Sequence, residues 1–308
     1  MKVCILGAGA LGCSIGAALA QGGSDVWLVN RSAAHVEAIN SSGLRVREDD
    51  AERVVRVRAA RDSRGIGPVD LVVVLVKSYD TRDAMGASVS LVGPRTVVMS
   101  LQNGLGHEDD LAAEIGAGHV VAGKTYVGGV MLGPGHIIGG TRGKKTIVGE
   151  LDGSRSPRIE AVASEFNRAR LDTFVTDNIV GTIWDKLLVN VATGALAAIT
   201  RLTYGPLYQV PEIEATALAA VEEAMAVARA RGVKLSTAQA RDAWAMASAG
   251  LPGDFKTSML QSLEKGSRTE IDFINGAVVR EGTRLGIHTP VNRTLVACIK
   301  GIERGLSA

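Results

Sequence analysis

The chain has 308 residues, 46% hydrophobic and 21% charged, with a formal net charge of +2. That length suits two domains with separate cores. The near-neutral balance excludes a nucleic-acid stripe, since Glu48, Asp49, Asp50, Glu52 and Asp62 are interleaved with the arginines between Arg45 and Arg64. Cys4, Cys13 and Cys298 lack metal-ligand spacing, so no metal is expected, and Cys4 and Cys13 read as buried, reduced thiols. The first residues enter a strand at once, with no room for a signal peptide, and no uninterrupted apolar run approaches membrane-spanning length. The expectation is a cytoplasmic protein without a nucleic-acid or membrane partner.

Met1–Leu6 reads as a buried strand, and Gly7-Ala8-Gly9-Ala10-Leu11-Gly12 follows it without a gap. Cys13–Gln21 suits a helix, Gly22-Gly23 stops it, and Asp25–Asn30 reads as a second strand. A Gly-x-Gly-x-x-Gly motif inside one βαβ unit is the fingerprint of a dinucleotide site. Gly7 makes the tight turn, Gly9 admits a pyrophosphate close to the backbone, and Gly12 lets helix and strand pack. The helix N-terminus supplies free amides and partial positive charge, so Gly7, Gly9, Ala10, Leu11 and Gly12 are the expected phosphate contacts.

The end of the second strand points to the dinucleotide. A site for NAD usually places Asp or Glu about twenty residues after the glycines, on the ribose 2′-hydroxyl. Here Asn30, Arg31 and Ser32 occupy that position. An amide, a guanidinium and a hydroxyl can bind a 2′-phosphate that a carboxylate would repel. NADP is therefore expected over NAD.

Further along, Ala33–Asn40 looks helical, and Leu44–Arg47 with Val54–Val57 suggests a pair of exposed strands. Asp62–Pro68 reads as a loop. Val69–Val76 is the most apolar stretch and reads as a central parallel strand covered on both faces. Lys77-Ser78-Tyr79 follow at its C-terminal end, where open α/β sheets place ligands. A helix from about Asp80 to Leu91 leads to a strand, Thr96–Leu101, ending in Gln102-Asn103-Gly104. Val120–Leu132, Gly135–Gly140 and Lys144–Gly149 are β-rich, and Ser156–Arg170 is helical, with Pro157 at a tolerated early position. From Asn178 on, helical periodicity dominates: Ile179–Ile199, Glu212–Arg231, Thr237–Ala249, roughly Ser267–Leu285, and Asn292–Glu303. The expected architecture is α/β, a Rossmann-type dinucleotide-binding domain over residues 1–175 followed by an all-helical domain over residues 176–308.

On the helix that opens the second domain, Lys186 and Asn190 lie four apart on one face of an otherwise apolar segment. Such a stripe faces either solvent or a site. Because the helix begins where the dinucleotide domain ends, the site reading gains weight. Hydride reduction of a 2-oxo acid builds negative charge on a carbonyl oxygen beside a carboxylate, and an ammonium there can anchor the acid, stabilise the alkoxide and supply its proton. The histidines look less suited: His35 is expected in an exposed helix, and His107, His119, His136 and His288 border turns or strand starts. A later polar cluster holds Ser258, which could cap a helix, and Glu270, which could decorate a first turn.

Taken together, these segments resemble the ketopantoate reductase (2-dehydropantoate 2-reductase) family nearly end to end. The likeness rests on Gly7–Gly12, Val76-Lys77-Ser78-Tyr79, Gln102-Asn103-Gly104, Trp184-Asp185-Lys186-Leu187 with Asn190, Thr257–Gln261 and Thr269–Gly276. It implies an NADPH-dependent reductase of a 2-oxo acid with Lys186 as general acid and Asn103 and Asn190 positioning substrate or nicotinamide. It also implies Lys77 along the cofactor, Ser258 at the substrate carboxylate, and Glu270 supporting the ribose or active site. One departure stands out. The family often continues with a second Asn and a Pro where this chain has Gly194 and Ala195, and a further Asn is replaced around Tyr204. A pocket widened at Gly194 suits a bulkier or different 2-oxo acid. By the resemblance, ketopantoate, reduced to pantoate in pantothenate biosynthesis, is still the foremost expected substrate; reduction of another 2-oxo acid or an imine, and a non-catalytic NADP sensor, are the alternatives. The apolar helices of the second domain leave room for a homodimer.

Overall fold

The computed structural model describes residues 1–48 and 51–306, so Asp49 and Asp50, two of the acids expected between the arginines, lie outside the described residues. The chain forms two units. One comprises Met1–Gln102 and His107–Ile179, the other Asn103–Gly106 and the chain from Val180 onward.

The first unit contains β1 (Lys2–Leu6), α1 (Ala10–Gln21), β2 (Asp25–Val29), α2 (Ala33–Ser42), β3 (Leu44–Glu48), β4 (Ala51–Val55), β5 (Arg58–Ala60) and β6 (Leu71–Val74). It continues with α3 (Thr81–Gly86), β7 (Val97–Ser100), α4 (His107–Ile115), β8 (Val120–Thr125), β9 (Gly128–Gly133), β10 (His136–Gly140), β11 (Thr146–Gly149), α5 (Pro157–Arg168) and β12 (Thr173–Val175). The main sheet runs β12-β11-β8-β7-β6-β1-β2-β5 and is parallel except where β8 meets β11. A smaller sheet, β4-β3-β10-β9, packs against α1. Since β1 lies between β2 and β6, the strand order reverses there, and the crevice beyond its carboxyl end is where such sheets bind ligands.

Alternation explains why β1 and β6 read as continuous apolar runs. Val3, Ile5, Leu71 and Val73 face one core with α1 and α5, while Cys4, Leu6, Val72 and Val74 face the other. At the edge of the first core, the carboxylate of Glu165 on α5 accepts hydrogen bonds from the N-terminal ammonium (3.0 Å), Ser24 Oγ (2.6 Å) and Arg168 (2.5 Å). Burial pushes the Glu165 carboxyl up, but these three partners together outweigh it and hold it below its ordinary range.

The second unit has helices and no strands among its described residues: α6 (Ile179–Thr200), α7 (Tyr204–Leu207), α8 (Pro211–Ala230), α9 (Ala240–Ser248), α10 (Ser258–Glu264), α11 (Asn275–Leu285) and α12 (Pro290–Leu306). By length and composition α6 could cross a membrane, yet Asp185 and Lys186 interrupt it and 61% of its most apolar stretch is buried inside the protein. Its apolar residues form the core with α8 and α12.

Several expectations need correction. The helix expected over Asp80–Leu91 is broken into α3 between single 3₁₀ turns at Ser78–Asp80 and Val89–Leu91, with α3 ending at Gly86, a poor helix former. The helix expected from Ser267 starts only at Asn275, because Ile274 leaves helical geometry. His35 is not in an exposed position but buried: its Nδ1 accepts from Gly135 N–H at 3.0 Å and its Nε2 lies 3.4 Å from Cys13 Sγ. The partner lies 100 residues away, beyond the reach of local pattern. Helices α4 and α7 and strands β5 and β12 were not anticipated, being short and weakly patterned.

Glu165→Gln is expected to lower the unfolding free energy at neutral pH by about 1–3 kcal/mol. Because the folded carboxyl titrates below 4.5, its contribution is complete above that pH and fades as the pH falls below it. Denaturant unfolding of parent and variant should therefore converge at low pH; a gap that widens there contradicts this account.

Candidate active site

In the glycine turn, Gly7 has φ +106° and a Cβ there would collide with the backbone of Leu75 and Val76, so only glycine fits. A Cβ on Gly12 would press on the Gly7 carbonyl oxygen, whereas one on Gly9 would meet nothing within 4 Å. Gly9 thus borders open space. It is the N-cap of α1 and offers no side-chain cap. The first bond into the helix runs from Cys13 N–H to Gly9 O at 2.8 Å, leaving the amides of Ala10, Leu11 and Gly12 without intrahelical acceptors. These donors with the dipole of a 12-residue helix fit a pyrophosphate.

Asn30 ends β2 and is held on both sides: its amide donates to Ala8 O (2.7 Å) and its oxygen accepts from Ser32 N–H (2.9 Å). Its position is therefore structural as well as near the turn, and one amide hydrogen is left over. Ser32 accepts from His35 N–H and caps α2, keeping its own hydroxyl proton to donate. Arg31 is 86% exposed and pairs with Asp80 at 2.8 Å. That contact joins the end of β2 to the 3₁₀ turn Ser78–Asp80, which begins after the exposed Lys77. Gln102 supports the same edge, donating to Val76 O and Thr81 Oγ1, both at 2.8 Å. Local pattern did not reveal that role, which only the β6–β7 pairing creates.

In the second unit, Lys186 and Asn190 are half-buried on α6, and Gly194 continues their stripe one turn on. A Cβ at Gly194 would touch only Met259 of α10, at 3.7 Å. The end of the Met259 side chain therefore reaches α6 at Gly194. Thr257, not Ser258, caps α10, accepting from Leu260 N–H, so Ser258 is an exposed first-turn residue free of capping duty. Beside the stripe, Tyr204 OH lies 3.1 Å from Thr193 Oγ1 and its ring packs 5.0 Å from Phe255. Asp185 faces elsewhere, accepting from Ser236 and Thr237 N–H, and anchors α6 to the segment before α9.

Asn103 heads the loop Asn103–Gly106, and Leu105 N–H donates to Phe273 O at 2.9 Å. Gly104 has φ +97°, and a Cβ there would strike Phe273. Asn103 and Glu270, far apart in sequence, are thus carried by two segments in direct contact, with Glu270 at the head of the 3₁₀ turn Ile271–Phe273. No cluster of His, Cys, Asp and Glu able to hold a metal occurs among the described residues.

A phosphate-ready turn at the switch point of a parallel sheet defines the first unit as a dinucleotide-binding domain, of the kind that serves oxidoreductases. Residues 3–153 match the family described as ketopantoate reductase PanE/ApbA, and residues 178–303 match its C-terminal counterpart. The chain is 35% identical over 303 residues to the 2-dehydropantoate 2-reductase of Pyrococcus horikoshii, covering 98% of each. It superposes on a PanE/ApbA family ketopantoate reductase from Ralstonia eutropha JMP134 with a TM-score of 0.92 and 37% identity, covering 100% of both chains. D-mandelate dehydrogenase, in a ternary structure with NADH and anilino(oxo)acetate, gives a TM-score of 0.92 at 26% identity, again covering 100% of both. The chain belongs to the ketopantoate reductase family. It is an enzyme, a nicotinamide-dinucleotide-dependent oxidoreductase.

Gly104→Ala forces a side chain onto Phe273 at a left-handed backbone position. We expect kcat/KM for the oxo acid to fall at least about tenfold, about 1.4 kcal/mol, while dinucleotide affinity, measured by fluorescence titration, changes little. Unchanged kcat/KM would show that the Asn103 loop tolerates displacement.

Proposed function

We propose that this chain uses NADPH to reduce a 2-oxo acid to the 2-hydroxy acid, with ketopantoate as the foremost substrate. The observation that carries the reading is the half-buried Lys186–Asn190 face of α6, with Met259, next in sequence to Ser258, reaching the same stripe at Gly194. When bound, the reduced dinucleotide supplies hydride to the carbonyl carbon. Lys186 attracts the carboxylate, stabilises the oxygen as it gains charge, and gives it a proton. Asn190 and Ser258 hydrogen-bond the acid, and Asn103 and Glu270 hold substrate and ribose in register, Lys77 lying along the cofactor.

Preference for NADPH is supported by Arg31. Its pair with Asp80 is exposed, 86% and 26% respectively, and such pairs contribute only about 0–1 kcal/mol. A doubly charged phosphate, bound through two parallel hydrogen bonds, outcompetes it. Ser32's hydroxyl and the remaining amide hydrogen of Asn30 complete the donor set.

A second reading, a 2-oxo acid with a larger apolar side chain, is favoured by Gly194, where a Cβ would meet only the end of Met259, at 3.7 Å. The likeness to D-mandelate dehydrogenase points the same way.

Lys186→Ala should lose at least about a hundredfold in turnover while still binding NADPH; turnover within tenfold of the parent ends the general-acid assignment. Arg31→Ala should raise the KM for NADPH about tenfold and leave NADH nearly unaffected, and equal effects on both cofactors would remove the 2′-phosphate role. A panel of 2-oxo acids run on the parent and on Gly194→Asn decides between the substrates. The asparagine should shift preference toward ketopantoate if Gly194 sets it.

A further inference from the structure

Away from α6, the second unit has a cavity of about 370 Å³ between the turn Gly266–Arg268 and the last turns of α12. That volume falls in the range of small-molecule sites, about 300–1,000 Å³. Its charged lining is Arg268, Lys300, Arg304 and Glu303. Glu303 is already engaged, accepting from both N–H and Oγ1 of Thr269 at 2.7 Å. Lys300 and Arg268 converge on the carboxylate of Asp272, at 2.5 and 3.1 Å, and Lys300 also lies 3.7 Å from Glu303. Arg304 forms no ion pair or hydrogen bond among the described residues. Three cations therefore face one acid in the lining, and an excess of one positive charge remains when Asp272 is counted too.

Two amides of the turn are already taken. Gly266 N–H is bonded to Leu263 O and Ser267 N–H to Ser262 O. Recognition therefore falls chiefly to the side chains, two of which are guanidinium forks suited to tetrahedral oxyanions. A cavity larger than one phosphoryl group needs, walled by separate cations, suits two linked phosphoryl groups. We propose that this cavity is a diphosphate-binding site, distinct from the dinucleotide turn. Occupancy would tie Arg304 and Lys300 of α12 to the turn before Thr269, bracing the segment whose next residue is Glu270.

The test uses the full chain with saturating NADPH, so that the glycine turn is already filled, and titrates inorganic pyrophosphate at constant ionic strength against chloride. Calorimetry should show saturable one-site binding, and hydrogen exchange should slow within residues 266–272 and 299–306. Arg304→Gln removes an exposed side chain that has no ion pair or hydrogen bond among the described residues, so it should melt like the parent yet bind pyrophosphate at least about tenfold more weakly. A parallel titration with ADP identifies the source: tighter binding than pyrophosphate marks a nucleotide as the ligand, equal binding marks free diphosphate, and both support the site. Binding no stronger than chloride gives, equal binding by parent and Arg304→Gln, or protection confined to residues 7–12 overturns it.

Discussion

Three backbone amides, those of Ala10, Leu11 and Gly12, are left without acceptors inside the helix they begin, and much of the first unit exists to keep them so. Gly9 caps the helix without a side chain that could occupy them. Gly7 bends the chain where any Cβ would collide with the strand end at Leu75 and Val76. Asn30 then ties β2 back to Ala8. Each is a local cost: a strained turn, an uncapped helix, an amide side chain withdrawn from solvent. The costs are offset only when an anion arrives, so the turn is a binding device before it is a structural one.

The second unit solves a different problem. Its longest helix must be apolar enough to form the core with α8 and α12 and yet carry a lysine and an amide on one stripe. Segregation by face achieves this: Leu187, Leu188, Val191 and Ala195 are buried, while Lys186 and Asn190 are half-buried. Asp185, adjacent in sequence but a hundred degrees around the helix, is spent on Ser236 and Thr237 and fixes the helix's rotation. The same economy governs the Asn103 loop, where one glycine against Phe273 brings two distant motifs into contact.

The sequence disclosed whatever is periodic or glycine-bound. The βαβ unit, the buried β6 and the long helices α6 and α8 follow from alternation and capping, and the glycine turn from spacing alone. Tertiary partnerships were hidden. His35 looks like a surface residue until β10 brings Gly135 to it. Gln102 looks like a motif letter until β7 pairs with β6. The break at Ile274 was invisible because the residues around it, Glu270 to Gly276, are acceptable in a helix; the Phe273 carbonyl is instead taken by Leu105.

What local pattern cannot rank is the balance at Gly194. Replacing an amide that bonds substrate costs about 1–3 kcal/mol. An aromatic substrate side chain of Phe size buries about 150–250 Å², an upper limit of about 4–6 kcal/mol at about 25 cal/mol per Å². A small hydroxylated substrate recovers little of that gain and loses the hydrogen bond. Met259, whose methyl end lies 3.7 Å from the place of a Gly194 Cβ, supplies apolar surface that would collect part of it. In the proposed reaction the glycine alone weighs toward the second reading, a substrate richer in apolar surface, while ketopantoate stays the foremost substrate on the strength of the whole motif set. The lysine and amide beside it are indifferent to that choice, because they act on the 2-oxo acid group that both kinds of substrate share.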